Sequence, residues 1–344
     1  MTNIFFIKDA INLALRKGIS FYACRLPNDR NVHFGAQVDS EFCAAEGFRI
    51  VPFVESAETS TRLIYAQYDA ESAQKILQSL PEVRLREIPR QSTSREEYHV
   101  EFSQAMRLLV EGSLKKVVLS RTILHNAFDM NWGQIFCSLT KQYPSAFVFV
   151  FYTPETGAWM GASPEILGTL HGSEFRTMSL AGTRVAGSHG AWGAKELEEQ
   201  QYVTAYIADL FKKESVPYEA SSRYTRNAGT VEHICNDFVA HFHSRQAAMQ
   251  FIDKLYPTPA LAGMPKDAAI RAVSSIETHR RDYYGGYVGL FYPDGFDYFV
   301  NLRSLQFDGE HSRLFVGGGL TIDSGEDSEW QETASKAQTL LNFL

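Results

Sequence analysis

The stretch GYVGLFYPDGFDYFVNLRSLQFDGEHSRLFVGGGLTI, residues 286–322, decides the fold class. Three runs rich in aromatic and β-branched residues, Gly286 to Phe291, Tyr298 to Phe307 and Arg313 to Ile322, are separated by Pro293-Asp294-Gly295 and by Asp308-Gly309. Proline presets φ and glycine accepts positive φ, so connections this short join neighbouring antiparallel strands. The reading is a three-strand meander. Beyond it, Gly317, Gly318 and Gly319 lead through Asp323 and Ser324 into a helical pattern. There Trp330, Ala334, Ala337, Leu341 and Leu344 recur at helical spacing, and Ser328 with Gln331 resembles a capping box. Glu329, Glu332 and Lys336 share a neighbouring face. Taken alone, an acid and a lysine four residues apart form a solvated pair worth a few tenths of a kcal/mol. The glycines add a second reading, in which uncovered backbone approaches an anion and the acids hold a metal that binds it.

Working outward, KKVVLSRTIL (115–124), AFVFVFY (146–152), AWMGA (158–162) and EILGTLHGSEFRTMSLAGT (165–183) supply further strands, with breaks at Glu155 to Gly157 and at His171-Gly172. Ser94 and Glu97 form a capping box before a helix whose Tyr98, Phe102, Ala105 and Leu109 line one face, and Gly112 closes it. A second helix is expected from Ala191 to Lys213, with Val203, Ile207, Leu210 and Phe211 as its stripe and Glu199 at the margin. A strand near Val231 to Phe242 and helices around Ala247 to Tyr256 and Asp267 to Glu277 follow. Residues 1–90 offer strands at Phe48 to Val54 and Arg62 to Tyr68, a helix near Asp69 to Ser79, and no motif that carries chemistry. Strands outnumber the connections that βαβ units need. The expected architecture is therefore α+β, large antiparallel sheets with helices outside, residues 1–90 and 95–344 belonging to one intimate domain.

Composition narrows the function classes. With 344 residues, 44% of them hydrophobic, the chain can bury a large core. A net charge of -7 and no Lys/Arg cluster argue against nucleic-acid binding, so an acidic substrate needs a metal ion or a few converging cations. Cys24, Cys43, Cys137 and Cys235 form no CxxC pair, which leaves reduced thiols as the expectation. The start, MTNIFFIKDAINLALRKG, lacks a long apolar run, and neither a signal peptide nor a membrane span is expected; a cytoplasmic location follows.

Seven strings in order carry a family resemblance: KKVVLSR (115–121), GASPEIL (161–167), LAGTR (180–184), PTPALAGMPK (257–266), RRDYYGGYVG (280–289), NLRS (301–304) and GGGLTIDSGEDSEWQETASK (317–336). Together they resemble the chorismate-utilising enzymes, which include isochorismate, salicylate, anthranilate and aminodeoxychorismate synthases. The resemblance implies a Mg²⁺ ion held by Glu199 and Glu332, with Glu329 holding a bound water. It implies that Arg303, Tyr284 and the backbone near Gly318 and Gly319 receive the enolpyruvyl carboxylate of chorismate, and that Lys336 helps neutralise the substrate. Lys116 matches the base that activates water, and Glu165 the acid that protonates the leaving hydroxyl. Thr183 matches a contact to the ring carboxylate and His233 a histidine near the ring, while Ala260 stands in the pocket where ammonia-using relatives have Thr or another marker residue.

Each residue also has an ordinary reading. Lys116 could be half of an exposed Lys115-Lys116 edge, Glu199 a solvated helix acid, Arg303 a strand ion-pair partner, His233 a structural histidine, Thr183 a turn residue and the glycines a bulge. Ammonia-using relatives carry glutamine where this chain has Lys116, so the resemblance points to water as nucleophile and to no glutaminase subunit. The expectation is an isochorismate synthase for menaquinone or siderophore synthesis, monomeric or weakly dimeric. Salicylate synthase is the alternative, and a noncatalytic chorismate-binding protein a third reading. One departure, Gln200 where the family commonly has histidine, supports that third reading.

Overall fold

The run Phe147–Thr153 is buried at every position, which an antiparallel strand with one wet face cannot be. Phe147, Phe149 and Phe151 enter one core while Val148, Val150 and Tyr152 enter another, so this strand is covered on both sides. The computed structural model, which describes residues 4–344, shows why. The first third contains α1 (Ile4–Lys17), β1 (Ser20–Arg25), β2 (His33–Gln37), β3 (Gly47–Val51), β4 (Arg62–Tyr65), α2 (Ala70–Leu77) and α3 (Arg95–Val110). Then come β5 (Lys116–Asn126), α4 (Trp132–Gln142), β6 (Phe147–Thr153), β7 (Gly157–Ser163), β8 (Ile166–His171), β9 (Glu174–Val185) and α5 (Ala194–Lys213). Next are β10 (Tyr218–Ala220), β11 (Tyr224–Ala228), β12 (Val231–His241), α6 (Arg245–Leu255), β13 (Gly263–Met264) and α7 (Lys266–Ile276). The chain closes with β14 (Tyr287–Phe291), β15 (Phe296–Val300), β16 (Ser304–Phe307), β17 (His311–Leu320) and α8 (Glu326–Leu341).

Two antiparallel sheets result. One has eight strands in the order β13-β5-β17-β16-β7-β6-β1-β2; the other has nine, β10-β12-β9-β8-β15-β14-β3-β4 with β11 beside β12. Their inner faces meet through aromatic side chains, among them Phe147 stacked on Phe299 at 4.2 Å and Tyr22 on Phe48 at 4.9 Å. Such pairs contribute about 0.5–1.5 kcal/mol each beyond their burial. Helices α1, α2 and α4 share a core with the outer face of the eight-stranded sheet, and α5 and α6 pack on the nine-stranded one. The fold is α+β, as expected. The first ninety residues are divided between the sheets, β1 and β2 extending one beyond β6 and β3 and β4 extending the other beyond β14.

The meander does not exist as a single unit. β14–β15 is a hairpin of the nine-stranded sheet and β16–β17 a hairpin of the eight-stranded one. The expected strand Tyr298 to Phe307 breaks at Asn301–Arg303, where Asn301 Nδ2 donates to the Tyr283 carbonyl at 2.8 Å and Arg303 takes a positive φ of 47°. Arginine enters the left-handed region only where surrounding structure holds it there. The crossing carries the chain from one sheet to the other.

Helix α8 corrects a second expectation. It begins at Glu326 after Gly325, with no side-chain cap, and Ser328 Oγ donates instead to the Gly325 carbonyl at 2.7 Å. Its buried residues are Glu329, Thr333, Ala337, Thr339 and Leu340: of the predicted stripe Trp330, Ala334, Ala337, Leu341 and Leu344 only Ala337 is fully buried, and the others sit beside the buried face. The burial of Glu329 is possible because α8 lies on the glycines of β17. In contrast, the Ser94–Glu97 capping box on α3 forms in full.

Candidate active site

A cleft opens where the β5–β17 end of one sheet faces β9 and β12 of the other. Its volume, including the part continuous with solvent, is about 710 Å³. Glu165, Thr183, Glu199, His233, Ala260, Tyr284, Arg303, Gly319 and Lys336 all line it. Lys116, Gly318, Glu329 and Glu332 stand immediately behind that lining. The ordinary reading of Lys116 as an exposed edge does not hold, since it is 0% exposed.

The acids and amines pair one to one. Lys116 Nζ is 3.1 Å from Glu199 Oε1, Lys336 Nζ is 2.6 Å from Glu332 Oε1, and Lys195 pairs with Glu329. Glycine makes this density possible. A Cβ on Gly318 would stand 3.0 Å from Glu329 Oε2 and 3.8 Å from Glu332 Oε1, and one on Gly319 would collide with Glu199. The β5–β17 register runs unbroken through Gly317, Gly318 and Gly319, so the glycines are no bulge. Burial, reinforced by the neighbouring Glu332, raises the pKa of Glu329. Burial also works upward on Glu332, but Lys336 outweighs it and the net shift is downward.

At the opposite end, among the described residues, no acid pairs with the cation. Arg303 is buried and donates through Nη1 to Thr339 Oγ1 at 3.2 Å and through Nη2 to His233 Nε2 at 3.0 Å. It has no carboxylate partner among the described residues, so the strand ion-pair reading fails. Because His233 Nε2 accepts from a guanidinium, its proton resides on Nδ1, which faces the Gly182 carbonyl at 3.1 Å. Burial, then Arg303, lowers the His233 pKa well below the usual value and keeps the ring neutral. Tyr284 stacks on Phe315 at 5.3 Å, and its hydroxyl approaches Gly317.

Glu165 lies in the turn between β7 and β8, buried on the cleft wall. Burial raises its pKa to about 8 against the opposing influence of Lys116, Arg226 and Lys336. A carboxyl that stays protonated near neutrality can donate a proton.

Several supporting residues escaped the sequence reading. Lys195 is one, placed a turn before Glu199 on α5. Arg281 is another: it donates to the Leu261 and Val118 carbonyls at 2.9 and 2.6 Å, pairs with Glu277 and forms part of the cleft wall. Its distance from Glu277, four residues along, was the available signal. Gln200 faces away from the cleft, its Nε2 donating to Thr204 Oγ1 and Asn236 Oδ1, both at 2.7 Å. It ties α5 to the sheet and thereby aims Glu199.

Among the described residues no three acidic, histidine or cysteine side chains form a ready metal cage. The donor chemistry nevertheless suits a hard divalent cation: three carboxylates crowd two glycines, and Glu329 Oε2 is buried without a hydrogen-bond partner. No helix among the described residues is long and apolar enough to cross a membrane. All four cysteines are free, with Cys43 alone exposed.

Comparison with known proteins places the chain. A family model described as chorismate binding enzyme matches residues 50–344. Isochorismate synthase EntC of Escherichia coli K12 is 30% identical over 280 residues, 78% of this chain and 71% of that protein. Anthranilate synthase component 1 of Archaeoglobus fulgidus is 27% identical over 292 residues, 80% of this chain and 70% of that protein. Among solved structures, MenF, the menaquinone-specific isochorismate synthase of Escherichia coli, superposes with a TM-score of 0.82 at 19% identity, covering 100% of this chain and 91% of that one. DhbC of Bacillus anthracis, described as a 2,3-dihydroxybenzoate-specific isochorismate synthase, gives 0.74 at 18% identity over 97% and 98%.

Proposed function

The chain belongs to the chorismate-binding enzymes, and from that membership we propose that it is an isochorismate synthase, adding water to the chorismate ring and expelling the original hydroxyl. The observation that carries this reading is the buried Lys116 against Glu199, with the protonated Glu165 in the same cleft. Water must lose a proton as its oxygen bonds to one ring carbon. The departing hydroxyl must gain one as its bond to another ring carbon breaks. In this reading Lys116 takes the first proton at Nζ as a neutral amine, a form reached only when it is no longer ion-paired with Glu199 Oε1, and the Glu165 carboxyl gives the second. Arg303 and Tyr284 receive the enolpyruvyl carboxylate, and neutral His233 and Thr183 border the ring.

Glu199 and Glu332, with Glu329 behind them, would hold Mg²⁺. When bound, that ion supplies fixed positive charge for the ring carboxylate. Lys116 and Lys336, which pair with Glu199 and Glu332, would then share those carboxylates with the ion, and Lys336 lines the cleft. We propose menaquinone or siderophore synthesis as the destination of the product.

The test is product analysis. Purified protein with chorismate and Mg²⁺ should reach a chorismate–isochorismate mixture approached from either side. Salicylate with pyruvate as the only products, or anthranilate on adding ammonia, would reject the assignment.

A further inference from the structure

Beyond the proposed reaction, β17 carries a second polar cavity along the same inner face. Arg313, Phe315 and Gly317 alternate on that face, Phe315 and Gly317 lining the cleft and Arg313 a separate cavity of about 1100 Å³ open to solvent. At about 3.3 Å per residue, Arg313 and Gly317 are about 13 Å apart along the strand. Phe315 separates them, with the Arg313 guanidinium 5.0 Å from its ring centre.

The inner wall of this cavity is unsatisfied. Arg313 is 2% exposed and makes no hydrogen bond or ion pair with the described residues, its Nε buried and unpartnered; Asp282, itself paired with Arg280, acts on it only from beyond ion-pair distance. Gln306, its cross-strand partner, is buried with Oε1 unpartnered, and its amide makes only a 3.5 Å contact to the Thr156 carbonyl. His279 is buried with Nδ1 unpartnered. Its tautomer follows from its neighbour: Ser120 Oγ donates to Glu277 Oε1 at 2.9 Å, so that hydroxyl accepts from His279 Nε2–H, also at 2.9 Å. Nδ1 therefore offers a bare lone pair. Burial, despite Glu277, lowers the His279 pKa to about 4, and the ring is neutral near pH 7.

The acids on the rim already have partners. Glu58 and Asp282 pair with Arg280, Glu87 lies 3.3 Å from Arg84, and Glu155 accepts from Thr153 Oγ1 at 2.8 Å. Arg86 donates only to the Glu155 carbonyl at 3.2 Å. What is left over is one buried guanidinium seeking an anion and two acceptors seeking hydroxyl or amine protons. Groups left unpaired in a folded interior are costly, and a matching ligand offsets that cost.

We propose that this cavity binds a small hydroxylated carboxylic acid, its carboxylate on Arg313 and its hydroxyl donating to His279 Nδ1 or Gln306 Oε1. The site is separate from the cleft and independent of which reaction the cleft performs.

Calorimetric titration with 3-hydroxybenzoate tests it, using wild-type protein, Arg313→Met and, in the cleft, Arg303→Met. Binding should persist in Arg303→Met and weaken at least tenfold in Arg313→Met, with circular dichroism checking that each variant is folded. Benzoate, which lacks the donor, should bind wild type at least fivefold more weakly. Gln306→Leu and His279→Phe give an independent arm if Arg313→Met does not fold: both should retain benzoate binding, and at least one should narrow the preference for the hydroxylated acid. No heat in wild type at millimolar ligand, binding lost in Arg303→Met but kept in Arg313→Met, or equal affinity for both acids in wild type would overturn the proposal.

Discussion

At the α8 end of the cleft each acid, Glu199, Glu329 or Glu332, has its own amine in Lys116, Lys195 or Lys336, whereas at the β12 end the buried Arg303 meets only His233 and Thr339. The first end is nearly neutral as it stands. A cation held here would compete with those lysines for the three carboxylates. The second end is a desolvated positive charge with no carboxylate paired to it among the described residues, Glu332 acting on it only from a distance, an arrangement costly to fold that an anion would relieve. A dianionic substrate could use both, one carboxylate through a metal and the other directly.

Four changes break or sharpen this contrast. Glu332→Ala should disrupt the carboxylate end, lowering turnover on the order of 10³-fold or more and flattening the Mg²⁺ titration. Full activity at ordinary Mg²⁺ would remove Glu332 from the metal site. Glu165→Gln, between the two ends, should cost at least about 10² in kcat. A general acid must be protonated, so wild-type activity should fall as pH rises through about 8, and the residual activity of the variant should lack that limb. Stability has its own sign. Folding raises this pKa from 4.5 to about 8, so the native state holds the extra proton between those values and stability declines as pH rises across that window. Glu165→Gln should remove the decline, as thermal melts at pH 5 and 8 would show.

Arg303→Met should raise KM for chorismate by about 10–100-fold, with a smaller effect on kcat, because one charge-assisted contact is lost. Its melting temperature should hold or rise, since an unpaired buried charge is gone; a large loss of stability would show that Arg303 is structural. The smallest effect is expected from Gln200→Ala. Loss of its contacts to Thr204 and Asn236 should cost about 1–2 kcal/mol in denaturant unfolding, while substrate binding changes little.

Most strands and the capping box on α3 were legible because alternation, β-branching and turn residues are local signals. Helices α1 and α4 were not anticipated, although Asn131, which accepts from the Gln134 N–H at 2.9 Å, was an available cap signal for α4. The predicted site residues were legible through family resemblance, and the structure gathers them in or directly behind one cleft. Lys195 and Arg281 were missed because their partners are read only in three dimensions, or were taken for surface charge.

The amino-acid sequence alone determined the antiparallel α+β character and the residue types at the site, since both depend on short-range patterns. It could not divide the apparent meander between two sheets. That division rests on Asn301 bonding to Tyr283 and on the left-handed turn at Arg303, both of which need the second sheet already in place. Nor could it show the full buried face of α8, of which it had Ala337 alone. Apolar spacing favoured Trp330 and Ala334, but the room over Gly318 turned Glu329 inward, because a helix rotates to fill the space its neighbour leaves.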